Sequence, residues 1–246
     1  MVNFKQAREV FRDVVEINNY VPLITLEKVQ NDLLSAIDKK EKMIFLSGKA
    51  GSGKSMILRK VFEELKSEKV FFVSNPYLEI NYILNVLKQL SLKEYHLFLI
   101  DEAQLLSEET FEELRIYADR GNVTFVFATH ETDIKKLLQK KHFYTRINYI
   151  FTVDKISLKE LEEFIKIKLL KHNLLNISEM IKKSNYKLIY KYTKGSLRAT
   201  NQLMFKVFDV LDFFYTKHPN KVNLNKLSNK YIEMAYLDLK EKNAQI

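Results

Sequence analysis

Two hydrophobic periods divide the chain into predicted elements. Near the start, apolar residues recur every three or four positions, which predicts helices over about 4–17 and 26–39. Further on, short apolar runs rich in β-branched or aromatic residues and bounded by turn residues predict buried strands. These five strands are predicted at 43–48, 70–76, 96–101, 122–129 and 147–153.

Segments with helical periodicity lie between the strands, at 54–67, 78–90, 107–119 and 132–141. This alternation predicts an α/β fold with a five-stranded, mainly parallel sheet flanked by helices. After residue 153 the strands stop, and Ser157 with Glu160 forms a capping-box pattern that opens a helix to about residue 171. Later helices are predicted at 181–192, 197–215 and 225–240.

These elements predict three parts of the chain. Residues 1–40 form an N-terminal helical segment and linker, residues 41–153 the α/β core, and residues 154–246 an all-helical C-terminal subdomain. Since 46% of the 246 residues are hydrophobic, the chain has enough apolar surface for a sizeable core. Only 5 Gly and 3 Pro exclude a collagen-like or Gly-rich linker protein.

The absence of cysteine bears on both chemistry and location. It excludes disulfides, thiolate zinc sites and cysteine nucleophiles, and it fits a reducing compartment. No apolar run approaches the roughly 18 residues that a membrane span requires. The first 16 residues alternate charged and apolar positions and do not read as a signal peptide. We therefore expect a cytoplasmic protein.

The net charge of +9 comes from 40 Lys and Arg against 31 Asp and Glu, and only seven of the basic residues are Arg. Arginine is the usual residue for bidentate contacts with phosphates and bases. A lysine-rich chain that is also rich in Asn, Ile and Tyr is typical of an AT-rich genome. The charge alone therefore leaves binding to nucleic acid or to an anionic membrane open.

Residues 48–55 read GKAGSGKS and match the phosphate-binding loop pattern, with a predicted strand before it and a helix after it. Its glycines allow backbone N–H groups to surround phosphates at the positive end of the next helix. Lys54 is expected to reach the β and γ phosphates, and Ser55 to bind Mg²⁺. The predicted ATP-binding residues are Gly48, Ala50, Gly51, Ser52, Gly53, Lys54, Ser55 and Met56.

The second half of a nucleotide site follows the apolar strand HLFLI, where the sequence reads DEAQ. Asp101 is expected to hold Mg²⁺ together with Ser55, and Glu102 to polarise the attacking water. The pair predicts an ATPase rather than a nucleotide-binding protein without turnover. The histidines lack the spacing of metal ligands, so Mg²⁺ is the only metal that we expect.

Two further polar residues end predicted strands. Thr129 is placed to sense the γ phosphate or to orient the water, and the adjacent His130 is an alternative for that role. Asn75 is placed to hydrogen-bond Glu102 and hold it off the water. An ordinary Asn-Pro turn is the competing interpretation for Asn75.

Two arginines complete the predicted catalytic set. Arg146 precedes the fifth strand and is expected to reach the γ phosphate of a neighbouring subunit as an arginine finger. Arg198 opens a helix of the C-terminal part, where it is expected to fold back over the nucleotide of its own subunit. A surface ion pair for Arg146 and a packing role for Arg198 are the alternatives.

The segments GKAGSGKS, LFLIDEAQLLSEETFEELR, VTFVFATHE, FYTRI and KGSLRATNQL, within about residues 20–240, resemble AAA+ ATPases. Within that class the chain resembles the ExeA/GspA group, and it is also similar to TniB-type ATPases. The group usually has Gly-Gln-Pro-Glu where this chain has residues 128–131, ATHE, and Gly-Ile-Pro-Arg where it has residues 195–198, GSLR. The resemblance implies a P-loop core followed by a helical lid.

The resemblance also implies a function and partners. It implies a homo-oligomeric Mg-ATP hydrolase that supports a type II secretion, type IV pilus or DNA-uptake system, working with protein components of that envelope machine. Such a protein is cytoplasmic or peripheral to the inner membrane.

Two other functions stay open. One is a DNA-binding ATPase that recruits a transposase or another partner, which needs a basic stripe such as Lys135, Lys136, Lys140 and Lys141 and a salt-dependent affinity. The other is a nucleotide-dependent switch that hardly hydrolyses, and the presence of Glu102 beside Asp101 argues against it.

Overall fold

The computed structural model describes residues 2–14, 16–139, 147 and 149–244. The described elements, in chain order, are α1 (Phe4–Val10), α2 (Ile24–Asp38), β1 (Met43–Gly48), α3 (Lys54–Leu65), β2 (Val70–Val73), α4 (Pro76–Gln89), β3 (His96–Ile100), α5 (Glu108–Asp119), β4 (Val123–His130), α6 (Glu131–Leu138), β5 (Tyr149–Val153), α7 (Leu158–Lys171), α8 (Leu175–Met180), α9 (Lys183–Thr193), α10 (Leu197–Lys217) and α11 (Asn229–Ala244). They form two compact units. The α/β unit spans Ile24–Asp154, and the helical unit combines Met1–Leu23 with Lys155–Ile246.

The N-terminal forty residues are shared between the two units, whereas the sequence predicted them as one segment. Residues 1–23 belong to the helical unit, because Phe4 and Phe11 pack their rings against Phe208 of α10. Helix α2 belongs to the α/β unit and packs against β5. Its buried positions, which include Leu26 and Leu33, form the apolar face that the periodicity predicts.

The α/β unit is built on a five-stranded sheet in which every strand pair is parallel, in the order β2-β3-β4-β1-β5. All residues of β1 and β3 are buried, as expected for strands covered on both faces. Aromatic rings line the sheet interior, with Phe45 stacked on Phe127 and Phe98 packed against Phe125. The sheet and its flanking helices confirm the predicted fold class.

Parallel pairing places the carboxyl ends of all five strands at one edge of the sheet. Ser47 of β1 pairs with Thr129 of β4, and Ile100 of β3 pairs with Phe127. The backbone N–H of Asp101 donates to the carbonyl of Val73 at 2.9 Å. Polar residues that follow β1, β3 and β4 therefore meet at this edge, where open α/β sheets bind ligands.

The helical unit contains the predicted capping box. The Ser157 hydroxyl accepts from the Glu160 backbone N–H, and the Glu160 carboxylate accepts from the Ser157 N–H at 2.9 Å. Helix α1 ends at Val10, seven residues before the predicted end, and α8 is a six-residue helix that the sequence did not predict. Among the described residues, no helix combines the length and the apolar character needed to cross a bilayer.

Candidate nucleotide-binding site

The loop between β1 and α3 depends on its glycines. Gly51 and Gly53 have φ of 73° and 110°, in the left-handed region that favours glycine. At Gly48 the limit is space, because a Cβ atom would lie 2.8 Å from both the Ser52 hydroxyl and the Val153 carbonyl oxygen. The loop therefore has the backbone that the phosphate-binding pattern requires.

Lys54 closes this loop with its side chain. The residue is 9% exposed, and its ammonium donates hydrogen bonds to the carbonyls of Gly48 at 2.9 Å and Lys49 at 3.1 Å. The hydroxyl of Ser52 is also buried and has no hydrogen-bond partner among the described residues. A cationic group and a free buried hydroxyl beside N–H groups at a helix start fit a phosphate. Of the other predicted loop residues, Ala50 is exposed and Met56 is half-buried.

Ser55 and Asp101 form the second part of the site. Asp101 is 8% exposed, the hydroxyl of Ser55 donates a hydrogen bond to its carboxylate, and the Glu102 N–H donates to the same group at 3.0 Å. Burial raises the pKa of Asp101, and the Ser55 and Glu102 hydrogen bonds oppose that rise. A carboxylate and a hydroxyl are oxygen ligands of the kind that Mg²⁺ uses with phosphates and water. These residues therefore fit the predicted Mg²⁺ site.

Glu102 lies on a strained turn at the end of β3. Its φ of 49° and ψ of 39° are left-handed, a conformation that costs about 1–3 kcal/mol for a non-glycine residue and is common at functional sites. One carboxylate oxygen accepts a hydrogen bond from the side-chain amide of Gln104. The same oxygen lies 3.9 Å from Nε2 of His130. The turn thus presents the carboxylate to Gln104 and His130.

The end of β4 brings Thr129 and His130 to the loop. The register pairs Ser47 with Thr129 and Gly48 with His130. Thr129 is 1% exposed, and its hydroxyl has no hydrogen-bond partner among the described residues. A buried unpaired hydroxyl is costly unless a ligand or water satisfies it. Thr129 therefore fits a sensor of the phosphate or of the water, whereas His130 lies near Glu102.

Asn75 does not make the predicted contact with Glu102. It precedes α4, its backbone N–H donates to the Glu79 carboxylate at 2.9 Å, and its side-chain oxygen is buried without a hydrogen-bond partner among the described residues. Gln104 makes the hydrogen bond to Glu102 instead, because the left-handed turn places the two side chains together. Sequence reasoning missed Gln104, although it belongs to the DEAQ segment.

The two predicted arginines and the predicted basic stripe have different surroundings. Arg198 is the second residue of α10 in the helical unit, and its Nε lies 3.5 Å from the carboxylate of Asp13. Arg146 lies outside the described residues, as do Lys140 and Lys141. Within the same predicted basic stripe, Lys135 is paired with Glu131 at 2.7 Å and Lys136 with Asp133 at 3.3 Å. The described part of that stripe is therefore neutralised by α6 itself.

The fold and the site together define a P-loop nucleoside triphosphatase, because the loop follows β1 and the Asp-Glu pair follows β3 of a parallel sheet. The family model described as Novel STAND NTPase 5 matches residues 7–142, more than half of the chain. The chain belongs to this family of NTPases. The family confirms the predicted class of enzyme, a nucleoside triphosphate hydrolase.

The relatives support the same class. A curated protein of Staphylococcus aureus described as "Potential ATP-binding protein" is 24% identical over 144 residues, which cover 58% of this chain and 50% of that protein. The chain thus spans about half the length of this curated relative.

Solved structures share the fold at low sequence identity. A RuvB mutant of Thermotoga maritima superposes with a TM-score of 0.62 at 19% identity, over 90% of this chain and 71% of that one. ORC1 of Aeropyrum pernix in complex with DNA superposes with a TM-score of 0.63 at 14% identity, over 94% of this chain and 69% of that one. Cdc6p of Pyrobaculum aerophilum superposes with a TM-score of 0.60 at 15% identity, over 86% of this chain and 66% of that one. At these identities the structures show a shared fold, and the comparisons do not extend to the ExeA/GspA or TniB groups.

Proposed function

We propose that the chain hydrolyses Mg-ATP at the edge of the sheet where β1, β3 and β4 end, with Glu102 polarising the attacking water. The observation that carries this proposal is the hydrogen bond from Ser55 to the buried carboxylate of Asp101. It joins the start of the helix after the phosphate loop to the acidic end of β3. These two residues would hold the metal ion of the nucleotide site.

The residues divide the chemistry among them. The loop N–H groups and the ammonium of Lys54 bind the phosphates, and Lys54 exchanges its contacts with the Gly48 and Lys49 carbonyls for phosphate oxygens. Ser55 and Asp101 would hold Mg²⁺, which would neutralise negative charge on the phosphates. Thr129 donates its free hydroxyl to the γ phosphate or to the water.

Glu102 needs a free carboxylate oxygen to act on the water. In the structure one of its oxygens is bonded to Gln104, which in this proposal restrains Glu102. Release of that hydrogen bond when ATP binds frees the oxygen for the water. The restraint that the sequence assigned to Asn75 is thus assigned to Gln104.

Steady-state turnover of Glu102→Gln tests the assignment. Loss of a general base usually lowers turnover by about 10²- to 10⁴-fold, so we expect that loss with ATP binding retained. Glu68→Gln, an exposed residue after α3, is the matched control and leaves turnover unchanged. Turnover in Glu102→Gln within a few-fold of the unchanged chain would assign the base elsewhere.

Completion of the site by other arginines is a second part of the proposal. An arginine finger at Arg146 predicts that Arg146→Ala keeps ATP binding and lowers turnover in an oligomer-dependent way. Normal turnover in this variant would exclude a shared site. Arg198 is proposed to act on the nucleotide of its own chain, which requires it to leave Asp13.

The cellular role is proposed on two different grounds. The resemblance to ExeA/GspA proteins supports a role in secretion, pilus assembly or DNA uptake, at the cytoplasmic side of the inner membrane. A DNA-binding ATPase that recruits a partner is the alternative, and it is favoured by the positive net charge and by two structural neighbours. RuvB is described as a Holliday junction branch migration motor, and ORC1 is in complex with DNA.

Turnover and oligomer size, measured with and without duplex DNA, distinguish the two roles. Stimulation and assembly on DNA favour the DNA-binding ATPase or DNA uptake. Indifference to DNA, with turnover stimulated instead by a protein of an envelope machine, favours secretion or pilus assembly.

A further inference from the structure

The net charge of the chain belongs entirely to one of its two units. The helical unit contains 21 Lys and Arg against 12 Asp and Glu, an excess of nine. The α/β unit contains 19 of each and is neutral. The basic character of the protein is therefore a property of the helical unit and not of the unit that contains the phosphate loop.

Part of this excess is arranged along α9. Lys183, Lys187 and Lys191 are spaced by four residues, which places them on one face of the helix, and all three are exposed. We call these three residues the lysine face. The opposite side of α9 is buried through Asn185, Tyr186, Ile189 and Thr193. Packing thus fixes the helix in the unit and turns the lysine face outward.

The lysine face has no ion-pair partner among the described residues. The described salt bridges of the helical unit involve other cations, such as Lys166, which pairs with Glu162 at 2.6 Å. The exposed Glu179 lies before α9, and the exposed Glu233 lies on α11. This differs from α6, where Lys135 and Lys136 are neutralised by residues of their own helix.

Helix α11 packs against the side of α9 that carries Asn185, opposite the lysine face. The Asn185 side-chain amide donates to the Leu227 carbonyl at 3.1 Å and to the Asn229 side chain at 2.7 Å, which fixes the start of α11 beside the start of α9. The rings of Tyr192 and Tyr236 stack at 3.9 Å seven residues further along both helices, so the two helices run in the same direction. Two more exposed lysines, Lys182 and Lys194, lie at the two ends of α9 and flank the lysine face along the chain.

We propose that the lysine face of α9, with its flanking lysines, binds the phosphate backbone of duplex DNA without sequence preference. Lysine acts as a point charge and positions a phosphate without reading bases, which suits a surface rich in Lys rather than Arg. None of the eleven residues of α9 is an exposed large hydrophobic side chain, so this helix lacks the apolar face of a membrane-surface helix. This inference goes beyond ATP hydrolysis and does not depend on it.

Fluorescence anisotropy of a labelled random-sequence duplex with the full chain, measured over a series of salt concentrations, tests the proposal. The variant replaces Lys183, Lys187 and Lys191 with Gln. The control replaces Lys28, Lys88 and Lys93 with Gln, which removes the same charge from exposed positions of the α/β unit. Circular dichroism checks that both variants are folded.

We expect the variant to bind more weakly and its slope of log affinity against log salt to be shallower by about 2 to 3, which is the loss of three phosphate contacts. The control retains the slope and affinity. Equal slopes in the variant and the unchanged chain would overturn the proposal. So would an unchanged chain that ignores DNA and binds vesicles containing phosphatidylserine through the same lysines.

ATP turnover keeps this test separate from the proposed function. The three lysines belong to the helical unit and are not among the residues assigned to the nucleotide site, so we expect basal turnover of the variant to equal that of the unchanged chain. A chain that binds DNA through the lysine face but shows Glu102-independent turnover would disprove the proposed catalytic role of Glu102 and leave this inference intact.

Discussion

The side-chain amide of Gln104 donates a hydrogen bond to the carboxylate of Glu102, two residues before it in the chain. The left-handed backbone at Glu102 makes this contact possible, since an extended residue there would direct its side chain elsewhere. The contact occupies one oxygen of the proposed catalytic carboxylate. In the proposed mechanism, a glutamine therefore restrains a base that lies two residues before it in the chain.

Replacing Gln104 with Leu should increase basal ATP turnover. A neutral hydrogen bond contributes a net of about 0.5–1.5 kcal/mol, which corresponds to roughly a two- to tenfold change in rate when Glu102 no longer has to break it. Steady-state turnover measures this, with Gln89→Leu on the exposed side of α4 as the control. A fall in turnover would show that Gln104 positions Glu102 and does not restrain it.

Alanine at Gly48 and at Gly121 should have different effects on nucleotide binding. At Gly48 the new Cβ meets the Val153 carbonyl at 2.8 Å, and backbone movement there costs about 1–3 kcal/mol and distorts the loop. At Gly121 no atom lies within 4 Å, and the cost is the strain of φ +82°. Denaturation and ATP titration should show both variants destabilised and only Gly48→Ala defective in binding. Intact ATP binding by Gly48→Ala would contradict the geometry of the loop.

Asp101→Asn should stabilise the nucleotide-free protein at pH 7. Burial raises the pKa of Asp101 above its ordinary value of 3.8, so the folded state favours the protonated form, and stability is lost as pH rises through that pKa. Removal of the ionised group at pH 7 should add on the order of 1 kcal/mol to the free energy of unfolding. Gains of this size are common when a substitution removes a destabilising group from a functional site. Thermal unfolding at pH 7 measures this gain, which should vanish below pH 3.8. Mg-ATP should stabilise the unchanged chain and not the variant, and a lower melting temperature for the nucleotide-free variant would contradict the argument.

Lys168 should make stability depend on alkaline pH. It is 4% exposed in the helical unit, and burial lowers its pKa from 10.5 to about 8, although Asp13 favours its charge. Above about pH 8 the Lys168 ammonium loses its proton in the folded protein, whereas in the unfolded chain it keeps the proton up to about pH 10.5. The buried charge therefore destabilises the folded state less as the pH rises toward 10.5.

Lys168→Met tests this dependence, because it removes the buried charge and keeps the length of the side chain. The variant should be more stable than the unchanged chain by ~3 kcal/mol at pH 7, and the difference should shrink by pH 9.5. Urea unfolding at the two pH values measures it. A less stable variant at pH 7 would mean that the hydrogen bond of Lys168 to Asn201 outweighs the cost of burial.

The strands and the phosphate loop were predictable because their signals are local. Each strand is a short apolar run between turn residues, and the loop pattern fixes Gly48, Lys54 and Ser55 by spacing. The capping box at Ser157 is equally local, and the structure confirms it. The roles of these residues toward ATP and Mg²⁺ stay predictions.

Other features depend on tertiary packing and left no local signal. Helix α8 has six residues, which is too short for a helical period to be recognised. The end of α1 at Val10 and the docking of residues 1–23 on the helical unit depend on contacts of Phe4 and Phe11 with Phe208, nearly two hundred residues away. The contact between Gln104 and Glu102 depends on a backbone conformation that spacing does not encode.

The position of β1 within the sheet has a consequence for hydrogen exchange. β1 is paired with β4 on one side and β5 on the other, and its residues are all buried, so its amide protons should exchange with solvent deuterium only when the sheet opens as a whole. Among the described strands, β2 is at the edge, where it pairs with β3 alone, and it is largely half-buried, so it should exchange earlier. Because Gly48 is the last residue of β1, local fraying at the β2 edge leaves the phosphate loop anchored to the slowest-exchanging strand.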